Sequence, residues 1–159
     1  VATLQLVLLL AVANGTPVLA KRLLGSRGAR PLDRGAKFAD GRPLFGASKT
    51  LRGIVLAIPA TALAATLIGL PWEMGLLTGG LAMAGDLLSS FVKRRLGLAP
   101  SSRALGLDQV PESLLPLLVA KNTLGIGWAD VALGTVLFVA GEIVLSRWLY
   151  RLHIRDQPY

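Results

Sequence analysis

The feature that most constrains this chain is a stretch without charge: Val1–Ala20 contains no Asp, Glu, Lys or Arg. At about 1.5 Å per residue, a helix of this length covers the ~30 Å hydrocarbon core of a bilayer. Backbone polar groups find no water there, so only helices or closed barrels can cross. A cleaved signal peptide is the competing reading, because Ala11-Val12-Ala13 has the small-x-small form. Signal peptides place positive charge before the apolar stretch. Here Lys21 and Arg22 follow it, and a retained span is expected.

Four further apolar runs follow. Ile54–Leu70 is closed by Pro71, and Met74–Phe91 holds Asp86. Val110–Ile126 is the weakest, because it contains Glu112, Pro116 and Lys121; Val131–Leu149 holds Glu142. The runs are long and rich in Leu and Ala rather than alternating, which favours helices over strands. The expected fold is therefore an all-α integral membrane protein, five transmembrane helices forming one domain over residues 1–159, with polar loops at Lys21–Arg52 and Lys93–Gln109. Composition agrees: 53% of residues are hydrophobic and 16% charged. Soluble domains carry about 25% charged residues, and disorder needs low hydrophobicity. The absence of cysteine excludes a disulfide scaffold, thiolate zinc, iron–sulfur clusters and a cysteine nucleophile, and a lone His153 excludes an all-histidine metal site.

Charge position tests the topology. The first loop holds nine basic residues: Lys21, Arg22, Arg27, Arg30, Arg34, Lys37, Arg42, Lys49 and Arg52. The second holds Lys93, Arg94, Arg95 and Arg103, and the C-terminal tail holds Arg147, Arg151 and Arg155. Five spans put these three regions on one side and leave only Lys121 opposite, whereas four spans would separate the tail from the loops. By the positive-inside rule the N-terminus is outside and the loops and tail are cytoplasmic, in the cell membrane. Trp72, Trp128 and Trp148 lie at span ends, as an interfacial aromatic belt requires.

Two stretches carry candidate chemistry. The loop from Pro31 to Gly53 alternates Asp33 and Asp40 with cations and glycines. Lys and Arg give charge-assisted hydrogen bonds to phosphate oxygens. Ser48, Lys49 and Thr50 precede a helix, whose amides and dipole favour anions. A solvated basic loop with turn residues is the bland alternative. At the end of the third span, Asp86, Ser89, Ser90 and Lys93 fall at i, i+3, i+4 and i+7, so one helical face carries a carboxylate, hydroxyls and a cation. A charge inside a span is costly and suggests function. Magnesium takes one or two carboxylates plus substrate phosphates, which suits Asp86. A structural pair of Asp86 with Lys93 or Arg94 is the alternative. Asp108, before the fourth span, caps a helix or serves the site. Asn14, with Gly15 and Pro17, either brings an amide towards the cytoplasmic end or packs between helices. Glu142 reads as a packing or pairing residue, and Glu73 and Asp130 fall on the outer side. There is no Walker loop, GxSxG or HExxH.

Taken together, these residues resemble the CDP-archaeol synthase (CarS) family, small membrane CTP transferases related to CDP-diacylglycerol synthases. The likeness is carried by Pro31-x-Asp33-x-Gly35-x-x-Phe38-x-Asp40-Gly41-Arg42-Pro43-Leu44-Phe45-Gly46-x-x-Lys49-Thr50-x-Arg52-Gly53, by Gly85-Asp86-Leu87 with Ser90-Phe91-x-Lys93-Arg94-Arg95, and by Leu107-Asp108-Gln109. Asn14 and Pro17 suit the family's first helix. Ser90-x-x-Lys93-Arg94 also looks like the opening of the CDP-diacylglycerol synthase signature, whose Pro-Gly-His-Gly-Gly element is absent. The resemblance implies transfer of a cytidylyl group from CTP to a lipid phosphate, an unsaturated archaetidic acid in archaea, with release of pyrophosphate. Within that site the residue chemistry assigns Mg2+ to Asp86 and Asp108, with Asp33 and Asp40 as second-choice ligands or organisers of the loop, and Lys93 and Ser90 are also expected to be catalytic. Substrate binding is expected from Asn14, Asp33, Asp40, Arg42, Lys49, Thr50, Arg52, Ser89, Arg94 and Gln109. The expected partners are CTP, a lipid phosphate and the membrane, and no nucleic acid. A small transporter or channel subunit, with Asp86 and Glu142 lining a pathway, is the competing class. Polar residues gathered at one membrane surface favour the enzyme.

Overall fold

The computed structural model describes residues 1–100, 102, 104 and 106–153, so Arg103, Arg155 and Gln157 lie outside the described residues. Five helices follow in order: α1 (Ala2–Leu24), α2 (Leu51–Leu67), α3 (Trp72–Arg95), α4 (Gln109–Leu124) and α5 (Trp128–Arg151). Three of them, α1, α3 and α5, are long and apolar enough to cross a membrane by length and composition. Each polar boundary expected from charge lies inside a helix instead. Lys21 and Arg22 continue α1, Lys93, Arg94 and Arg95 complete α3, and Arg151 ends α5. Cations in a last turn face the negative end of the helix dipole, so their charge extends the helix rather than stopping it.

α1 touches all four other helices, α2 packs on α3, α3 on α4, and α4 on α5. The core is formed by Leu6, Leu10, Ala13, Ala57, Ala82, Met83, Leu117, Ala120, Val131 and Phe138. Without a hydrophobic drive between helices in lipid, close backbone approach through small residues has to supply the packing. Gly75 lies so close to α2 that a Cβ built there would stand 2.5 Å from the Ala62 Cα and from the Thr61 carbonyl. The α3–α4 crossing is closer still: a Cβ on Gly85 would stand 2.3 Å from the Pro111 carbonyl oxygen and 2.7 Å from the Glu112 Cα. α4 forms despite Pro111 and Pro116, on a face that buries Glu112, Ser113, Pro116, Leu117 and Ala120.

The two ends of the bundle differ. At one, Thr3 donates to Asp130 at 2.9 Å, the Gln5 amide donates to the Ile68 carbonyl at 2.8 Å, and the Lys121 ammonium lies 4.8 Å from the Trp128 ring. At the other, the segment between α1 and α2 folds over the C-terminal end of α3. Antiparallel bridges Pro31–Thr50 and Lys37–Pro43 shape that segment. Arg95 pins it: its guanidinium lies 4.9 Å from the Phe38 ring and 4.8 Å from the Phe91 ring, and its Nε is 3.1 Å from Asp40. In return, Arg42 donates to the Arg95 carbonyl at 2.5 Å and the Arg94 carbonyl at 3.3 Å. These carbonyls end α3; that of Arg94 also accepts the Gly97 amide at 3.1 Å, and Arg42 adds a cap supplied from the loop.

Candidate active site

Asp86 begins the α3 face expected from helical spacing, and Ser90, Lys93 and Arg94 line the same cavity. The cavity measures about 820 Å³ and opens at the loop-covered end of the bundle. Every helix contributes to its wall: Asn14 from α1, Ile54 from α2, Asp86 from α3, Glu112 from α4 and Glu142 from α5. The loops add Phe45, Ser48, Lys49, Thr50, Pro100, Ser102 and Asp108.

Two ion pairs organise it. Lys49 Nζ reaches both oxygens of Asp86, at 2.5 and 2.6 Å. Lys93 Nζ lies 2.5 Å from Asp108 Oδ1 and donates to the Ser102 carbonyl at 3.1 Å. The structural alternative for Asp86, a pair with Lys93 or Arg94 on its own helix, is thus replaced by a pair with a loop lysine. Burial works against the charge of Lys49, but the Asp86 carboxylate beside it, helped by Glu112 and Asp108, outweighs that and raises its pKa. Asp108 occupies the position before α4 but makes no side-chain cap there. Its Oδ2 accepts the Ala104 amide at 2.9 Å, which fixes the carboxylate towards the cavity.

Arg94 is 4% exposed, and its Nε and Nη1 have no hydrogen-bond partner among the described residues. Its Nη2 donates to the Ala99 carbonyl at 2.7 Å. A buried guanidinium with unused donors is costly unless an anion completes it. The Asn14 Nδ2 is likewise buried without a partner among the described residues.

The other expected site residues take supporting positions. Asp33 accepts the amides of Phe45 and Gly46 on one oxygen, at 3.0 and 2.9 Å, and of Gly35 on the other at 3.0 Å. Burial alone would raise its pKa; the three backbone donors outweigh it and lower the pKa. Thr50 caps α2 by accepting the Gly53 amide at 3.2 Å. Arg52 lines the cavity but donates to the Gly25 carbonyl at 3.0 Å and to the Arg27 carbonyl. Asp40 and Arg42 belong to the Arg95 clamp described above. Ser89 faces α4 and donates to the Gly85 and Asp108 carbonyls at 2.9 and 3.3 Å. Gln109 lines the cavity, its Oε1 accepting the Gly106 amide at 3.0 Å.

Two acids of the cavity, Glu112 and Glu142, are not among the site residues expected from the sequence. Glu112 is 6% exposed and lies within hydrogen-bond reach of Asp86. Its signal in the sequence is an acid inside a span, which by local pattern alone only weakens that span. Glu142 lines the cavity and also a second space of about 220 Å³ between α1 and α5. That space is walled by Val7, Ala11, Leu137, Phe138 and Leu145, with Asn14, Val18 and Glu142 common to both.

A family model described as "CarS-like: CDP-archaeol synthase" matches residues 1–75 and 71–159. The chain belongs to this family. A CDP-archaeol synthase from Pyrobaculum calidifontis is 40% identical over 153 residues, covering 93% of this chain and 91% of that one. One from Sulfurisphaera tokodaii is 34% identical over 156 residues, covering 93% and 89%. A solved structure described as an intramembrane enzyme for archaeal membrane lipids biosynthesis superposes with a TM-score of 0.73. It is 33% identical and the match covers 89% of this chain and 90% of that one. With three long apolar helices among five, this family member is a multi-pass membrane protein.

The donors present fit a magnesium ion: hard carboxylate oxygens of Asp86 and Asp108 line a cavity that also holds Lys49, Lys93 and Arg94. Among the described residues, no three His, Cys, Asp or Glu gather into a complete metal cage. An ion held by few carboxylates, with substrate phosphates filling its remaining positions, needs no such cage.

Proposed function

We propose that this protein transfers the cytidylyl group of CTP to a membrane lipid phosphate of the archaetidic acid type, giving a CDP-activated lipid and pyrophosphate. The observation that carries the reading is the joining of two unlike spaces: a charged cavity at one end of the bundle meets an apolar groove between α1 and α5 at Asn14 and Glu142. A nucleotide triphosphate suits the first and an isoprenoid lipid the second.

In the reaction an oxygen of the lipid phosphate bonds to the α-phosphorus of CTP, and the bond from that phosphorus to the bridging oxygen of the β-phosphate breaks. The electron pair leaves on pyrophosphate. Such chemistry depends mainly on positioning and on neutralising charge. Arg94 presents two unused donor nitrogens to an anion, and Lys49 and Lys93 bring ammoniums to the same cavity. Ser90 orients an oxygen from the same helical face. Asp86 and Asp108 would hold Mg2+, which neutralises phosphate charge when bound. Asn14 offers its free amide where the lipid phosphate must enter.

All five helices are proposed to cross the bilayer, with the start of α1 outside and the cavity facing the cytoplasm. α2 and α4 hold 17 and 16 residues, about 25 Å of helix each, short of a full span without bilayer adjustment. The basic loops at the cavity end support this orientation.

Purified protein given labelled CTP, Mg2+ and a panel of ether and ester lipid phosphates should form CDP-lipid. CTP should be preferred to ATP and GTP. In Asp86→Asn, which keeps shape and removes charge, turnover should fall by at least about two orders of magnitude, the scale of one lost electrostatic contributor. Melting should also fall, because Lys49 loses its counter-charge, so turnover is compared on folded protein below the melting range of each. Equal turnover with all three nucleotides, or an Asp86→Asn protein that turns over normally, would contradict the assignment.

A further inference from the structure

In the charged cavity, each of two carboxylates is matched by one lysine. Lys49 is symmetric on Asp86, at 2.5 and 2.6 Å, and Lys93 lies 2.5 Å from Asp108. The acids are held by rigid parts: Asp86 stands within α3, and Asp108 is fixed by the Ala104 amide. The lysines are compact charges on flexible four-carbon stems and can swing without moving the backbone. Arg94, by contrast, is anchored on Ala99 with two donors left over.

We propose that Lys49 and Lys93 are exchangeable place-holders: each neutralises a carboxylate until nucleotide phosphates draw it away, so that divalent cation and nucleotide bind strongly only together. The inference deepens the reading of the site as a nucleotidyltransferase and rests on it.

The coupling follows from charge balance. A divalent cation arriving alone must displace an ammonium from Asp86 or Asp108. The displaced lysine side chains are 22% and 9% exposed, so they lose their counter-charge without regaining full hydration. A nucleotide arriving alone can attract the lysines, but then leaves bare carboxylates beside its own phosphates. When both arrive, lysines pass to phosphates and carboxylates to the cation, and each charge keeps a partner. Such coupling is reciprocal: whatever factor CTP adds to cation affinity, the cation adds to CTP affinity. Arg94 needs no exchange, so it offers the triphosphate a first contact.

The test uses Mn2+ as probe, bound to detergent-purified protein and followed by electron paramagnetic resonance without nucleotide. Labelled CTP is followed by equilibrium dialysis with and without Mn2+. Lys49→Met should bind Mn2+ alone at least roughly tenfold tighter than wild type, within the usual range of coupling between sites. Lys93→Met should do the same at Asp108, and serves if Lys49→Met melts early. Lys37→Met is the control for general charge, since Lys37 is an exposed lysine on the same loop as Lys49 and does not line the cavity; it should resemble wild type. Wild type should bind CTP at least roughly tenfold tighter with Mn2+ than without. Wild-type affinity for Mn2+ alone in both of the Lys49→Met and Lys93→Met variants, or equal tightening in Lys37→Met, overturns the place-holder role. CDP-lipid formation by the wild type is scored separately. Turnover without the Mn2+ effect refutes only the exchange, whereas absence of turnover with every lipid phosphate refutes the transferase reading.

Discussion

Gly85 gives the sharpest mutational test, because its neighbour is backbone and cannot rotate away. A Cβ built there stands 2.3 Å from the Pro111 carbonyl oxygen, 2.5 Å from its carbonyl carbon and 2.7 Å from the Glu112 Cα. Ordinary contact begins near 3.4 Å, so Gly85→Ala must part α3 and α4 by about 1 Å at the crossing. Overpacking of this kind costs about 1–3 kcal/mol. The functional loss should be larger than the loss of stability suggests. Asp86 stands next to the substitution, and Glu112 and Asp108 ride on or before the displaced helix. A misplacement of about 1 Å at reacting groups can lower turnover by about a hundredfold. Gly80→Ala is the control on the same helix, because nothing lies within 4 Å of its Cβ position. Both variants would be purified in detergent, melted, and assayed for CDP-lipid below the melting range of each. Gly85→Ala should retain a cooperative transition at lower temperature with turnover down by about two orders of magnitude, while Gly80→Ala stays near wild type. Full turnover by folded Gly85→Ala would refute the claim that this crossing sets the carboxylate geometry.

Two further outcomes are expected. The pKa of Asp33 is lowered by three backbone donors, so it stabilises the folded loop above its ordinary value, near 4, and that contribution is lost as pH falls through the lowered value. The melting difference between wild type and Asp33→Asn should therefore be full at neutral pH and shrink below about pH 4; a constant difference down to the acid limit of the fold would remove the role given to its charge. For topology, single cysteines at Arg30 and Ser102 should be labelled only from the cytoplasmic face and one at Ala129 only from outside; a cysteine at Gln157, beyond the described residues, tests the fifth crossing, and labelling from outside there would remove a span.

What the sequence determined alone was local. Five long apolar runs mark five helices, and helical spacing puts Asp86, Ser90 and Lys93 on one face, because both depend only on neighbours along the chain. The one-sided excess of Lys and Arg gathered the basic loops at one end for the same reason. Local spacing could not choose partners. It offered Lys93 or Arg94 to Asp86, while the fold supplies Lys49 from a loop 37 residues away and leaves Arg94 with free donors. It read Glu112 as a flaw in a weak span, while the Gly85 crossing brings that acid to Asp86. It assigned Arg42 and Asp40 to substrate, while both are engaged with the end of α3 through Arg95. An ion pair or a helix crossing is decided by which backbones approach each other, and that is a property of the packed bundle rather than of any segment in it.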